Sequence, residues 1–235
     1  MSEREHVGQR ISTRPKDPAA QALLGWMQQN GGRLRDLLDD EAGGAGDLLP
    51  AGEAAIRAHL RLVSQALAAT AGPATRDGLE ELAETLPERF ADDEAGLDGE
   101  LELLEDAAAH ELNLQFGTER AGSDPMLREM IERRLRVQAW SRFFLRLVGE
   151  AVADGDFADG AFTWMGEHQT QLAETIFSMD RRAKEAEIAR RGPHAVDDAA
   201  LVNQIGQAAM LQAHVRFLVE AIAATLPRRS ASARP

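Results

Sequence analysis

The sequence has no cysteine and no tyrosine. The first absence excludes disulfides, thiolate nucleophiles and zinc–thiolate centres together. Lysine is nearly missing too, Lys16 and Lys184 being the whole complement. Neither stands in an apolar setting that would depress its pKa, so covalent chemistry through an amine is not expected. Arginine in place of lysine, with abundant alanine and glycine, points to a GC-rich bacterial coding bias more than to selection for guanidinium chemistry. No apolar run approaches the roughly 18 residues that a membrane helix needs, so no membrane contact is expected. Residues 1–16 carry Arg4, Arg10, Arg14 and Lys16 but no apolar segment. A secretory signal is therefore not read there, and the expected location is the cytoplasm.

Catalytic signatures are missing as well. There is no Gly-x-Ser-x-Gly elbow, no Walker loop and no Gly-x-Gly-x-x-Gly after a strand. Ser64, Ser141 and Ser178 each fall inside a predicted helix with no adjacent base. Glu150, Glu174 and Glu220 border apolar faces and are the better acid–base candidates, yet a bordering glutamate usually turns outward. A non-enzymatic role is the expectation. Sustained alternation with β-branched residues is also absent, so no strands are predicted and the class is all-α.

What is present is helical periodicity. Asp17-Pro18 caps a first helix carrying Leu23, Leu24, Trp26 and Met27, weakened at Gly31-Gly32 and resuming through Leu34, Leu37 and Leu38. A second runs from Pro50 to Gly72-Pro73, and a third from Thr75 to Phe90 with Pro87 as a break or a terminating turn. A fourth spans 94–117. Ser123-Asp124-Pro125 opens a fifth through Ala153, whose Val137, Trp140, Phe144, Leu147 and Val148 share one side. A sixth runs from about Ala161 to Arg191, where Gly192-Pro193 stops it, and a last one covers Val202–Leu226. The expected architecture is a bundle of six to seven helices over 17–226, with two subdomains dividing near 118–124 and disordered tails at 1–16 and 227–235.

One phrase occurs twice. Ile56–Thr70 and Leu211–Thr225 align without a gap, matching His59 with His214, Arg61 with Arg216 and Thr70 with Thr225. A Trp-Met pair precedes each, at Trp26-Met27 and Trp164-Met165. This suggests a duplicated helical hairpin. Alanine-rich helices also resemble one another by chance.

Charge is uneven. Between Arg76 and Glu111 fourteen carboxylates stand against Arg76 and Arg89 alone, which is −12 of the chain's net −13. Such a segment repels phosphate, so nucleic-acid binding is not expected. The arginines of 128–146, namely Arg128, Arg133, Arg134, Arg136, Arg142 and Arg146, do not reverse this. Two have glutamates one turn earlier, and the acidic segment would engage others. The functional reading is docking of a protein partner with a basic surface, through Asp77, Glu80, Glu81, Glu84, Glu88 and Glu100. The plain alternative is a solvated face that keeps the chain in solution.

Two further sites are open at this level. Trp140, Phe143, Phe144 and Trp164 suit a groove for a peptide or apolar ligand, or simple core packing. His59, His110, His168 and His214 lie on four predicted helices and would, in a second reading, hold iron or haem for redox or oxygen chemistry. The spacing disfavours that reading. No glutamate stands three residues before these histidines, and only Asp106 with His110 gives an i,i+4 pair. The leading expectation is thus a protein-binding helical module, an adaptor, regulator or chaperone-like protein without cofactor, whose oligomeric state is not read from the sequence.

Overall fold

Asp17 opens the first helix as the sequence predicts: its carboxylate accepts the Ala19 N–H at 2.8 Å, and proline follows at once. In the computed structural model, which describes residues 17–44, 51–92, 97–102, 104 and 125–226, helix α1 covers Pro18–Gln29 and α2 Gly32–Gly44. The predicted weak point at Gly31-Gly32 is a full break, made by Asn30. Its backbone N–H and its side-chain Nδ2 both donate to the Trp26 carbonyl, at 3.0 and 2.9 Å.

The same device recurs. Helix α6, Phe157–Glu167, stops at His168, whose backbone N–H and ring Nδ1–H both donate to the Trp164 carbonyl, at 3.1 and 2.8 Å, before α7 runs over Gln169–Arg191. The expected count of six to seven helices is therefore corrected. The described residues hold eight α-helices, a short 3-10 helix at Pro193–Asp197 and helical backbone over 97–102, with no strand. Two predicted helices are each divided by a side chain that caps the carbonyl one turn back, a signal weaker in sequence than glycine or proline.

Helix α3 covers Ala51–Thr70 and α4 Arg76–Asp92. The predicted break at Pro87 does not occur. Leu79, Leu82, Leu86 and Phe90 are all buried along one side of α4. At about 1.5–3 kcal/mol for each buried side chain, they outweigh the roughly 3 kcal/mol that an interior proline costs. Of the predicted fourth helix, 97–102 is helical, while 105–124, including the proposed subdomain boundary, lies outside the described residues. So do both tails.

Helix α5, Pro125–Ala151, stops just short of the predicted end at Ala153. Ala153 takes the left-handed conformation, φ 53°, and the N–H groups of Ala153 and Asp154 cap the Glu150 and Gly149 carbonyls at 3.0 Å each. Gly192, φ 94°, ends α7 as predicted. Helix α8, Ala199–Thr225, is opened by Asp198, which accepts from the Ala200 and Leu201 N–H groups.

Two long helices organise the packing. Helix α3 touches α1, α2, α4, α5 and α8, while α8 touches α1, α3, α5, α6 and α7. From Ala213 to Ala223 nearly every residue of α8 is buried, so it has no solvent face there. Helices α7 and α8 pack on one another, Leu172 meeting Ala213 and Phe217, and both touch the 3-10 helix between them. Leu60, Val63, Leu67, Leu86, Phe144, Val148, Leu218 and Ile222 lie in one core.

The doubled phrase is doubled in its local bonds. His59 and His214 donate Nδ1–H to the carbonyls of Ala55 and Met210 one turn back, and Thr70 and Thr225 bond Ala66 and Ala221 likewise. The arginines diverge: Arg61 reaches Asp40 and Glu41 on α2, whereas Arg216 reaches Glu220 on its own helix.

Candidate functional site

Helix α4 presents two unlike sides. Its leucines and Phe90 face the core, while Asp77, Glu80, Glu81, Glu84 and Glu88 are all exposed. None of these five carboxylates has an ion-pair partner among the described residues. The opposite holds inside the bundle. Glu41 is buried and meets Arg57 at 2.7 Å and Arg61 at 2.8 Å, joining α2 to α3. Glu220 is buried and accepts from Arg216 on α8 and Gln171 on α7, at 2.9 and 2.6 Å. It turns inward, against expectation.

Glu100 belongs with this second group, which corrects its assignment to the docking face. It is only 3% exposed and accepts from Nε of both Arg142 and Arg146 at 2.6 Å, fixing the 97–102 helix to α5. An isolated buried carboxylate is strongly disfavoured, so two cations beside it are the condition for its burial. Part of the arginine content of α5 is thus engaged internally, as expected.

Helix α4 lies unusually close to the end of α5. A Cβ at Gly78 would sit 2.0 Å from the Ala151 carbonyl oxygen, so only glycine fits there. Arg89 also bonds Glu150 across this seam at 2.8 Å. These contacts hold the acidic side outward.

An open hollow of about 430 Å³ lies beside the acidic face. Ala68, Ala69 and Ala83 line it together with Trp26, Arg33, Gln65, Glu80 and Glu84. The Arg33 guanidinium stands over the Trp26 ring, 5.6 Å from its centroid. Gln65 Oε1 is buried without a hydrogen-bond partner among the described residues. Neither Trp26 nor Gln65 was singled out by sequence as a site residue, because their convergence on α4 requires the packing of α1 on α3.

A larger groove, about 590 Å³, runs between α1, α3 and α8. Leu24, Met27, Leu62 and Val215 give it an apolar wall, and Gln21, Gln28, His59, Gln212 and Arg216 are its polar members. It is not the groove expected from Trp140, Phe143, Phe144 and Trp164. Trp140, Phe143 and Phe144 are buried, with Phe90 edge-on to Trp140 at 4.9 Å. Helices α3, α4, α6 and α8 all pack on α5, so its aromatic side is covered. Trp164 packs at the margin of the same core, with its ring stacked on His168 at 4.1 Å and tilted against Phe217 at 5.1 Å.

Among the described residues, His59, His168 and His214 stand in three different settings. His59 lines the α1–α3–α8 groove, His168 stacks on Trp164, and His214 is 2% exposed with its Nε2 buried and unpartnered among the described residues. All three donate Nδ1–H to their own helix, so the neutral form of each ring carries its proton on Nδ1. Burial holds the pKa of His59 and His214 below the ordinary histidine value, and Arg134 lowers that of His214 further. Among the described residues no three His, Asp or Glu side chains form a group suited to a metal ion. His110 lies outside those residues. Also among them, no helix is long and apolar enough to cross a membrane.

No family model, curated protein or solved structure matches this chain.

Proposed function

We propose that this protein is a binding module that docks a basic protein partner through the outer face of α4. The observation that carries the reading is the contrast in charge compensation. Each buried carboxylate is met by arginine, while Asp77, Glu80, Glu81, Glu84 and Glu88 stand exposed and unpaired among the described residues. Like charges on successive turns repel and cost helix stability, by about 0.2–0.5 kcal/mol for a pair. A basic surface would relieve that repulsion, and the same field would speed the encounter and make it salt-sensitive.

The doubled phrase is read as one helical hairpin used twice, supported by the matched histidine, threonine and tryptophan-carbonyl bonds. In this reading α3 and α8 are the scaffold and α4 is the working helix. The cytoplasm is the proposed site of action.

The test is affinity capture from the source cell with two baits, the wild type and the triple variant Glu80→Lys, Glu84→Lys, Glu88→Lys. The reading expects a partner that elutes at raised salt, binds through a basic segment and is missing from the variant. Retention of every partner by the variant would refute it.

A further inference from the structure

Where the acidic face borders Trp26, the structure carries a more specific reading, which rests on the docking function proposed above. We infer that the hollow between α1, α3 and α4 is the seat for a single arginine side chain of the partner. Four observations bear on the choice of occupant. Glu80 and Glu84 stand one turn apart on α4, both line the hollow, and neither has a cation partner among the described residues. Ala68, Ala69 and Ala83 form an apolar lining suited to the methylene stem of a long basic residue.

Trp26 adds an aromatic wall whose ring already carries a guanidinium, that of Arg33 at 5.6 Å. Arg33 makes no ion pair with Glu80 or Glu84. The hollow therefore holds one cation on its indole and has a second seat, at its carboxylates, without one. Gln65, which also lines the hollow, has a buried Oε1 with no hydrogen-bond partner among the described residues, an acceptor still to be satisfied.

Arginine fits this set better than lysine. Its planar fork donates to both carboxylates at once, it stacks on indole, and it gives up water more readily than an ammonium does. The lining carries Arg33 against Glu80 and Glu84, so it is net negative by one charge, and Arg33 competes with the guest for the ring.

The experiment titrates the full chain with three probe peptides, acetyl-Gly-Arg-Gly-amide and its lysine and citrulline counterparts. The indole N–H resonance of Trp26, assigned with Trp26→Phe, is followed by NMR. The inference expects saturable movement of that signal with the order arginine, lysine, citrulline. Glu80→Gln with Glu84→Gln should weaken the arginine probe roughly tenfold, the size of a lost charge-assisted bond. Arg33→Ala should strengthen it. Glu174→Gln with Glu185→Gln, exposed on α7 and outside both the hollow and the docking face, should leave it within about threefold, the effect of surface charge alone. Binding of citrulline as tight as arginine overturns the inference, as does a Trp26 signal that stays still. If the signal stays still while the charge-reversed bait still loses its partner, the hollow is wrong and the acidic face stands. If both fail, the docking reading falls as well.

Discussion

Replacing Gly78 by alanine sets two effects against each other. On helix propensity alone the change is favourable by about 1 kcal/mol. At Gly78, however, the new methyl would sit 2.0 Å from the Ala151 carbonyl oxygen, which is backbone. Even a favourable carbon–oxygen contact needs about 3.3 Å, so α4 must withdraw from the end of α5 by roughly 1 Å. Leu79, Leu82, Leu86 and Phe90 would move with it. Their burial is worth on the order of 6–12 kcal/mol together, and a gap of that size forfeits a quarter to a half of close contact, about 1.5–6 kcal/mol. After the propensity gain, Gly78→Ala should destabilise by about 0.5–5 kcal/mol.

The same substitution at Gly206, inside α8, meets only the Asp180 Oδ1 atom at an ordinary 3.8 Å and should stabilise by up to about 1 kcal/mol. Urea unfolding of both variants beside the wild type, followed by circular dichroism with unchanged m-values, gives the two signs directly. If Gly78→Ala stabilises as Gly206→Ala does, the α4–α5 seam is not where the structure puts it.

Other substitutions test other parts of the packing. Ala153→Gly should raise stability by about 1 kcal/mol, because alanine in the left-handed conformation is strained and glycine is not, and a lowered urea midpoint would contradict the cap. Glu41→Gln leaves Arg57 and Arg61 undercompensated in a buried seam and should cost about 3 kcal/mol, whereas a loss below 1 kcal/mol would mean the seam is open to water. Burial lowers the pKa of His59 and His214 in the fold, so as the pH falls through the ordinary value near 6.5 the unfolded chain takes up their protons before the fold does. Their contribution is therefore complete above that pH and is lost as the pH falls. Between about pH 7 and 5 the wild type should lose stability faster than His214→Gln, and parallel profiles would show that the ring is not desolvated.

Much of the fold is legible in the spacing of apolar residues. Leu79, Leu82 and Leu86, or Val137, Trp140 and Phe144, lie on buried faces because period and hydrophobicity agree there. The breaks at Asn30 and His168 are not legible, since each depends on a side chain folding back on a tryptophan carbonyl. The left-handed cap at Ala153 falls outside the residue types that usually signal one. Pro87 misleads in the other direction, as burial of its neighbours holds the helix through it. The acidic face on α4 follows from composition alone, but Glu100 does not separate from it in sequence. Only the approach of Arg142 and Arg146 from α5 distinguishes a buried linchpin from an exposed carboxylate. The aromatic groove fails for the same reason, four helices closing over one face of α5.

Carboxylate footprinting of the complex recovered with the wild-type bait tests the docking reading most directly. Free protein treated with a carbodiimide and an amine should label Asp77, Glu80, Glu81, Glu84 and Glu88 readily, along with Glu174 and Glu185 on α7. The account predicts that the partner protects the five on α4 and leaves Glu174 and Glu185 reactive. Unchanged labelling on α4, with protection elsewhere on the surface, would contradict it.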